Sequence, residues 1–276
     1  MQKLIPVLML LALAFPQAVF TQQNVLFVAA GQSNAVGQGS ADSAVRVQAG
    51  TAFEFRYRSR SLVPLADPVG EDALGFQQAH TGSAWPAFAK TYHELSGKTV
   101  LIVPAARGGS SNHQKAELRS MGTWAAKGEM PLLDSALLKI KQAQKQANAP
   151  LKGIIWLQGE RDANAIFDQT LSPAEYEEAL KEVIRRFREG LNEQVPFYIV
   201  LTGNQHGREP LGNEAVRHAQ KAVAGTIPGV YIVYEDAKNF SARKRMKDFV
   251  HYDQAALNDI GAAVARRITR INPEKR

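Results

Sequence analysis

The 276-residue sequence contains no cysteine, which excludes disulfide bonds, a thiol nucleophile and zinc held by thiolates. Charged residues make up 21% and hydrophobic residues 45%, ordinary values that exclude disorder, collagen and a coiled coil. Beyond the N-terminal segment, no apolar run reaches the ~18 residues of a transmembrane helix. A chain of this length can bury roughly 70–75% of its unfolded surface, so it can fold without a structural metal.

The N-terminal segment differs in composition from the rest of the chain. It carries one positive charge, at Lys3, and residues 4–15 form an apolar run interrupted only by Pro6. A short basic start and a short apolar run are typical of a secretory signal peptide, and a membrane span would need ~20 residues. We therefore expect residues 1–21 to be a signal peptide and residues 22–276 to form a single domain that is periplasmic or secreted, with no stable membrane span after cleavage.

Basic residues outnumber acidic ones by 33 to 26, which gives a net charge of +7. Part of the excess lies in a run at residues 243–247 and part near the C-terminus, in residues 266–276. Because the run has no interleaved aromatic residues and export would remove the usual partner, we expect no nucleic-acid partner. The run is either solvated surface or a patch that attracts an acidic substrate or polymer. No feature of the sequence indicates an oligomeric state.

Strand and helix patterns alternate along the chain. Apolar runs typical of strands buried on both faces occupy residues 25–30, 99–103, 153–157, 197–201 and 230–234. Helical patterns occupy residues 84–95, 132–147, 213–223 and 255–271, and a further helix opens at Ser172 with a capping box and a proline. This alternation predicts a parallel sheet covered by helices on both faces. The irregular residues 41–80 are expected to form a long loop with at most one short strand, at 53–57, and to shape a binding site.

The first strand ends in a turn that carries a serine. The sequence Gly31-Gln32-Ser33-Asn34-Ala35 approximates the nucleophile elbow, in which small residues flank a serine on a tight strand-to-helix turn. The alternative is an ordinary turn in which Ser33 caps a helix. No lysine follows at phosphate-loop spacing, and no Gly-x-Gly-x-x-Gly fingerprint is present, so we expect no nucleotide cofactor.

Two further strand ends carry polar, glycine-containing turns. Residues 107–111 read Arg-Gly-Gly-Ser-Ser, and adjacent glycines allow a backbone N–H to approach a ligand closely. In the second turn, Gln158 can donate an amide N–H to an oxyanion, and Glu160 places a carboxylate at the same edge of the sheet. Each turn alone is compatible with a simple βα loop, but three polar turns at equivalent strand ends predict one site.

A candidate base follows the last strand. Asp248 and His251 are three residues apart, a spacing at which the carboxylate can reach Nδ1 of the imidazole and fix its tautomer. Nε2 of His251 would then be available to take the proton of Ser33. The alternative is a surface turn without a catalytic role.

Four short blocks, in this order along the chain, resemble the motifs of the SGNH hydrolase superfamily: Gly31-Gln32-Ser33-Asn34, Arg107-Gly108-Gly109-Ser110, residues 156–163 and Asp248-Phe249-Val250-His251. More closely, the chain is similar to the sialate O-acetylesterase and acetylxylan esterase branch, a carbohydrate esterase family, over about residues 24–268. The Gln-Gly-Glu sequence of the third block is the most specific motif. Arg217 and Gln220 also resemble an Arg-x-x-Gln pair found late in that branch.

The resemblance implies an α/β fold, a three-layer α/β/α sandwich with a flavodoxin-like parallel sheet. It also implies Ser33 as the nucleophile and His251 as the general base. The implied oxyanion donors are the N–H groups of Ser33 and Gly109 and the side chain of Gln158.

Two carboxylates match the third position of the triad. Asp248 fits the Asp-x-x-His pattern of the superfamily, whereas Glu160 is the carboxylate of the Gln-Gly-Glu motif. We prefer Asp248 because of its spacing and treat Glu160 as an auxiliary residue. The second block departs from the usual Gly-Gly-Thr type, which points to a different acyl or sugar pocket. The candidates for substrate binding are Gln32, Asn34, Arg107, Ser110 and Arg217.

The pattern as a whole predicts a serine esterase that removes O-acetyl groups from carbohydrates, such as an acetylated glycan, xylan or sialic acid, through an acyl-enzyme. Neither a metal site nor an organic cofactor is expected. Two alternatives stay open at this point: a general esterase or lipase of the same superfamily acting on other acyl esters, and a non-catalytic carbohydrate-binding relative.

Overall fold

The computed structural model describes residues 24–272, which contain one seven-stranded sheet with helices on both faces. The strands are β1 (Asn24–Gly31), β2 (Ala52–Arg56), β3 (Ser61–Pro64), β4 (Thr99–Ala106), β5 (Leu151–Leu157), β6 (Phe197–Val200) and β7 (Val230–Tyr234). The helices are α1 (Ser33–Val36), α2 (Trp85–Ser96), α3 (Leu133–Ala147), α4 (Glu160–Phe167), α5 (Pro173–Leu191), α6 (Leu211–Thr226) and α7 (Gln254–Ile271). Short 3-10 turns occupy Ala41–Ser43, Gln114–Ala116, Arg119–Met121 and Asp236–Asn239.

The strand order across the sheet is β3-β2-β4-β1-β5-β6-β7. Neighbouring strands are parallel except for β2 and β3, which form an antiparallel hairpin. Without that hairpin the order is that of a flavodoxin-like sheet, in which the first strand lies between the second and the third. The predicted three-layer α/β fold is therefore confirmed. Since β1 lies between β4 and β5, the turns that follow these three strands meet at one edge.

The apolar strands serve two cores at once. In β1, Leu26 and Val28 pack into the core that α3, α5 and α6 cover, while Val25 and Phe27 pack on the opposite side, towards α2 and α7. Successive side chains of a strand point to opposite faces, so an uninterrupted apolar run is what a doubly covered strand requires.

The five helices predicted from the sequence lie close to their predicted positions, whereas α4 was not predicted. Ser172 and Glu175 form the predicted capping box at the start of α5, with Pro173 at its first position. On the other face, α7 approaches the start of α2 closely at Gly261, where a Cβ atom would lie 2.2 Å from the carbonyl oxygen of Ala84.

The segment 41–80 is more regular than predicted. Its β2–β3 hairpin extends the sheet, and Phe55 of β2 is fully buried. The edge strand β3 carries half-buried and exposed residues, so it lacks the apolar run by which the inner strands were recognised. Beyond the hairpin, the chain folds back against the end of β4, where Gln77 N donates to Ala106 O at 3.1 Å.

The predicted signal peptide, residues 1–21, lies outside the described residues and stays a prediction. Within residues 24–272, no helix combines the length and the apolar character needed to cross a membrane.

Candidate active site

The turn after β1 is bonded to both neighbouring strands. Gln32 N donates to Leu157 O at the end of β5 at 2.9 Å, and Arg107 N donates to Gly31 O at 3.2 Å. A Cβ atom at Gly31 would lie 2.0 Å from Leu157 O, and the φ angle of Gly31 is +137°. Only glycine satisfies both conditions. This close approach of two strands places Ser33 at the edge where the predicted site segments meet.

Ser33 lies beside the glycine turn that follows β4. It begins the short helix α1 and is largely buried. A methyl group at Gly108 would lie 3.7 Å from Ser33 Cβ, so this turn contacts the serine. Among residues 24–272, neither the Ser33 N–H nor the Gly109 N–H has a hydrogen-bond partner. Two free backbone donors beside a serine are the geometry that stabilises an oxyanion.

Asp248 and His251 form the predicted pair. Asp248 Oδ2 lies 2.7 Å from His251 Nδ1, while Oδ1 accepts hydrogen bonds from the N–H groups of Val250, at 2.9 Å, and His251, at 2.8 Å. Partial burial raises the pKa of Asp248, but the two N–H donors and the imidazole together outweigh it, so the pKa lies below its ordinary value. Asp248 is thus held as a carboxylate against the imidazole, which leaves Nε2 as the free nitrogen.

Asn34 connects the serine turn to the histidine loop. Its Nδ2 donates to Val250 O at 3.3 Å, and its Oδ1 accepts from Tyr252 N at 3.2 Å. The residue after Ser33 is therefore bonded to both neighbours of His251. No direct hydrogen bond joins Ser33 and His251 in the described part of the chain. The side chain of Asn34 is 1% exposed, so its role here is internal.

Glu160 contacts Asn34 and makes no hydrogen bond to His251. Its Oε1 accepts from Asn34 Nδ2 at 2.7 Å, and burial at the start of α4 raises its pKa. Gln158, Glu160 and Thr202 border a cavity of about 10 Å³ and each have one buried polar atom without a hydrogen bond of normal geometry to the protein. A cavity of this size with several polar neighbours can hold one water molecule.

Gln158 is 1% exposed, and its amide is already bonded. Nε2 donates to Ser110 O at 3.3 Å and to the carboxylate of Asp162. Asp162 also accepts from Asn112 N at 2.8 Å and His113 N at 2.9 Å, and burial raises its pKa to about 6. Gln158 thus lies at the predicted strand end, but it would have to exchange one of these acceptors before it could donate to an oxyanion.

The other predicted substrate-binding side chains are bonded within the protein. Oε1 of Gln32 accepts from the Gly159 and Arg161 N–H groups and so caps the start of α4. The Arg107 guanidinium donates to the carbonyls of residues 75, 120 and 121, where it joins two loops. Ser110 is fully buried against Gly31 O and the Trp124 indole.

Arg217 and Gln220 brace the ends of β5 and β6. Arg217 donates to Thr202 O at 3.1 Å and to Asn204 Oδ1 at 2.9 Å, and Gln220 Nε2 donates to Gln158 O at 2.9 Å. The Arg-x-x-Gln pair therefore holds the segments that follow β5 and β6 in place through hydrogen bonds within the protein. In the described ranges, no three acidic or histidine side chains are grouped as a metal site would require.

Two residues of this region escaped the sequence analysis as site residues. Asp162 holds Gln158 and the turn at residues 112–113, and Gln77 accepts a hydrogen bond from Gly108 N at 2.7 Å. Both act through contacts between distant parts of the chain. The carboxylate of Asp162 in the third block was a visible signal, whereas Gln77 gave none.

Comparison with known proteins finds a family whose profile matches most of this chain. A family profile described as "Carbohydrate esterase, sialic acid-specific acetylesterase" matches residues 23–270. A search of the curated proteins finds no match. Among solved structures, a protein from Arabidopsis thaliana is 19% identical with a TM-score of 0.70, over 90% of this chain and 98% of that one.

Two further structures have the same fold. NanS is 17% identical with a TM-score of 0.62, over 92% of this chain and 99% of its own. Est24, a carbohydrate acetylesterase from Sinorhizobium meliloti, is 11% identical with a TM-score of 0.52, over 91% and 100%. At these identities the likeness concerns the fold, which is that of the SGNH hydrolases.

Proposed function

The chain belongs to the carbohydrate esterase family of sialic acid-specific acetylesterases, and on this basis we propose that it removes O-acetyl groups from carbohydrates with Ser33 as the nucleophile. One arrangement carries the proposal. Asn34 joins Ser33 to the loop of the Asp248–His251 pair, and the Gly108–Gly109 turn, whose Gly109 N–H has no hydrogen-bond partner among residues 24–272, lies beside the serine.

In the first half of the reaction, Ser33 Oγ attacks the acetyl carbonyl carbon while His251 Nε2 takes its proton. The N–H groups of Ser33 and Gly109 stabilise the oxyanion of the tetrahedral intermediate. Asp248 stabilises the imidazolium. The intermediate collapses when the bond to the sugar oxygen breaks and His251 returns the proton to that oxygen. The products of this half are the free sugar hydroxyl and acetyl-Ser33.

In the second half, a water molecule attacks acetyl-Ser33 and His251 Nε2 takes its proton. The same N–H groups hold the second oxyanion. Collapse releases acetate, and His251 returns the proton to Ser33 Oγ. His251 therefore accepts and returns the proton in every step of the proposed reaction.

Acetate release from a panel of esters tests this proposal. The panel contains acetylated xylan, O-acetyl sialic acid and p-nitrophenyl esters of increasing acyl length, each with the wild type and Ser33→Ala. We expect release from an acetylated glycan and a loss of about 10⁴-fold or more in the variant, with an unchanged circular dichroism spectrum. Rates that rise with acyl length and no release from glycans would instead identify a general esterase. No Ser33-dependent release would mean a non-catalytic relative.

A further inference from the structure

Gln77 lies beside the nucleophile although it is far from every site motif in the sequence. Its Oε1 accepts the Gly108 N–H at 2.7 Å. A methyl group placed on Gly108 would lie 3.1 Å from Gln77 Oε1 and 3.7 Å from Ser33 Cβ. The amide of Gln77 and the serine therefore border the same residue of the glycine turn.

The hydrogen bond to Gly108 fixes the orientation of the Gln77 amide. A backbone N–H needs an acceptor, so the oxygen must face Gly108 and Nε2 must be the other end of the amide. Among residues 24–272, Nε2 of Gln77 has no hydrogen-bond partner, and the residue is half-buried. The backbone N–H of Gln77 is anchored separately on Ala106 O. The side chain is thus held at its acceptor end and free at its donor end.

From this geometry we propose that Gln77 has two roles in the proposed deacetylation, on which this inference rests. Its Oε1 is a positioning group that holds the Gly108–Gly109 peptide, so that the free Gly109 N–H faces the oxyanion. Its Nε2 donates a hydrogen bond to an oxygen of the sugar next to the acetyl ester. Gln77 is therefore a specificity residue for carbohydrate esters over simple acetyl esters.

Gln77→Met removes both roles, because methionine has a similar length but neither accepts from Gly108 nor donates to a sugar. The choice of substrate then separates the two roles. On p-nitrophenyl acetate, which offers no sugar oxygen, we expect kcat to fall about 10- to 100-fold with KM within about twofold, since a displaced oxyanion donor weakens the transition state. An unchanged kcat would overturn the positioning role.

The sugar contact is tested with a ratio: kcat/KM for the acetylated sugar divided by kcat/KM for p-nitrophenyl acetate. In Gln77→Met this ratio should fall about five- to tenfold, the usual worth of one hydrogen bond. Gln77→Glu should lower it similarly, because a carboxylate can accept from Gly108 but cannot donate. Any effect of the negative charge of the new glutamate on the oxyanion is common to both substrates, so it cancels in the ratio. A ratio that stays at the wild-type value in both variants would overturn the sugar contact.

Gln78→Met is the matched control, because Gln78 is exposed and its amide donates to Pro68 O. It should change neither kcat nor the ratio, and equal effects at both positions would overturn a specific role for Gln77. Failure of the proposed function gives a different result. If the wild type hydrolyses only p-nitrophenyl esters, carbohydrate deacetylation and the sugar contact are both wrong, while kcat on p-nitrophenyl acetate still decides the positioning role. A wild type that hydrolyses no ester would overturn the proposed deacetylation and both roles of Gln77.

Discussion

At the scale of single residues, the two carboxylates near the site differ in what they contact. Asp248 reaches the imidazole of His251 directly, at 2.7 Å. In the described residues Glu160 makes no hydrogen bond to the imidazole; its carboxylate accepts from Asn34, which in turn holds the backbone on either side of the histidine. On this geometry we propose Asp248 as the orienting carboxylate and Glu160 as a support for Asn34.

This difference is testable with isosteric variants. Asp248→Asn should lower kcat about 10³- to 10⁴-fold, because the amide no longer stabilises the imidazolium and favours the wrong tautomer. Glu160→Gln should lower it less than about tenfold, since the new amide oxygen still accepts from Asn34 and no charge contacts the imidazole. Steady-state kinetics on p-nitrophenyl acetate measures both. A larger loss in Glu160→Gln than in Asp248→Asn would make Glu160 the orienting residue.

The residues of the proposed site fall into two groups, those that the sequence could reveal and those that it could not. Ser33, Gly109 and His251 could be found because each lies in or next to a polar motif at a strand end. Gln77 could not be found, because its position depends on how residues 65–80 fold back onto β4, and a glutamine in an irregular segment carries no local signal. Ser110 shows the converse case, since a motif residue can be buried by a long-range contact such as the one with Trp124.

At the scale of secondary structure, the junction of β1 with α1 depends on a contact between two strands. Gly31→Ala would place a methyl group 2.0 Å from Leu157 O in a backbone conformation that disfavours alanine. We expect it to lower the free energy of unfolding by about 3–5 kcal/mol, the combined cost of overpacking and backbone strain. Urea denaturation followed by circular dichroism measures this change.

Gly225→Ala is the control for that variant. Gly225 lies near the end of α6 with open space around its Cα, so an alanine there should raise stability by about 0.5–1 kcal/mol through its helix propensity. The two Gly→Ala changes should therefore have opposite signs. A Gly31→Ala variant as stable as the wild type would show that β1 and β5 can separate at this point.

The predictable elements are those with a clear apolar pattern. Strands β1, β4, β5 and β6 were recognised because each is buried on both faces. The edge strand β7 was recognised because its run is apolar although it is only partly buried. The longer helices were recognised because their apolar residues repeat at helical spacing. Strand β3 was missed because an edge strand needs no apolar run, and α4 because its first turn, with Glu160 and Asp162, consists of polar residues that contact the site. Elements without an apolar repeat, such as the short edge strand β3 and the polar start of α4, are thus the ones that pattern alone does not indicate.

At the scale of the whole molecule, much of the basic run at residues 243–247 is neutralised locally. Arg243 pairs with Asp236 at 2.5 Å, and Arg245 lies 3.1 Å from Asp259 and 3.4 Å from Asp253. Lys247 Nζ donates to Gln38 O at 2.6 Å. This pairing favours a structural surface over a patch that attracts an acidic polymer, because paired charges contribute little to the long-range potential.

Buried acids make the stability of the whole molecule depend on pH. Burial raises the pKa of Glu54 from 4.5 to about 7, against the opposing effects of the Gly70 N–H and of Arg56. Asp162, with its pKa raised to about 6, acts over an overlapping range. An acid whose pKa is raised on folding keeps its proton in the native state when the unfolded chain has already lost it. The unfolded state then binds fewer protons, so the free energy of unfolding falls as pH rises.

Glu54→Gln isolates the Glu54 part of this effect. In the wild type, the contribution is fully present below about pH 4.5 and is lost as pH rises through about 7, a change on the order of 3 kcal/mol. The glutamine cannot titrate, so the variant should show a shallower fall across this window, while Asp162 contributes equally to both proteins. Any lost hydrogen bond to Gly70 or Arg56 shifts the whole curve without changing its slope. Urea denaturation at half-unit steps from pH 4.5 to 7.5, with the exposed Glu193→Gln as the control, measures the slopes. Parallel curves for the wild type and Glu54→Gln would show that folding does not raise the pKa of Glu54.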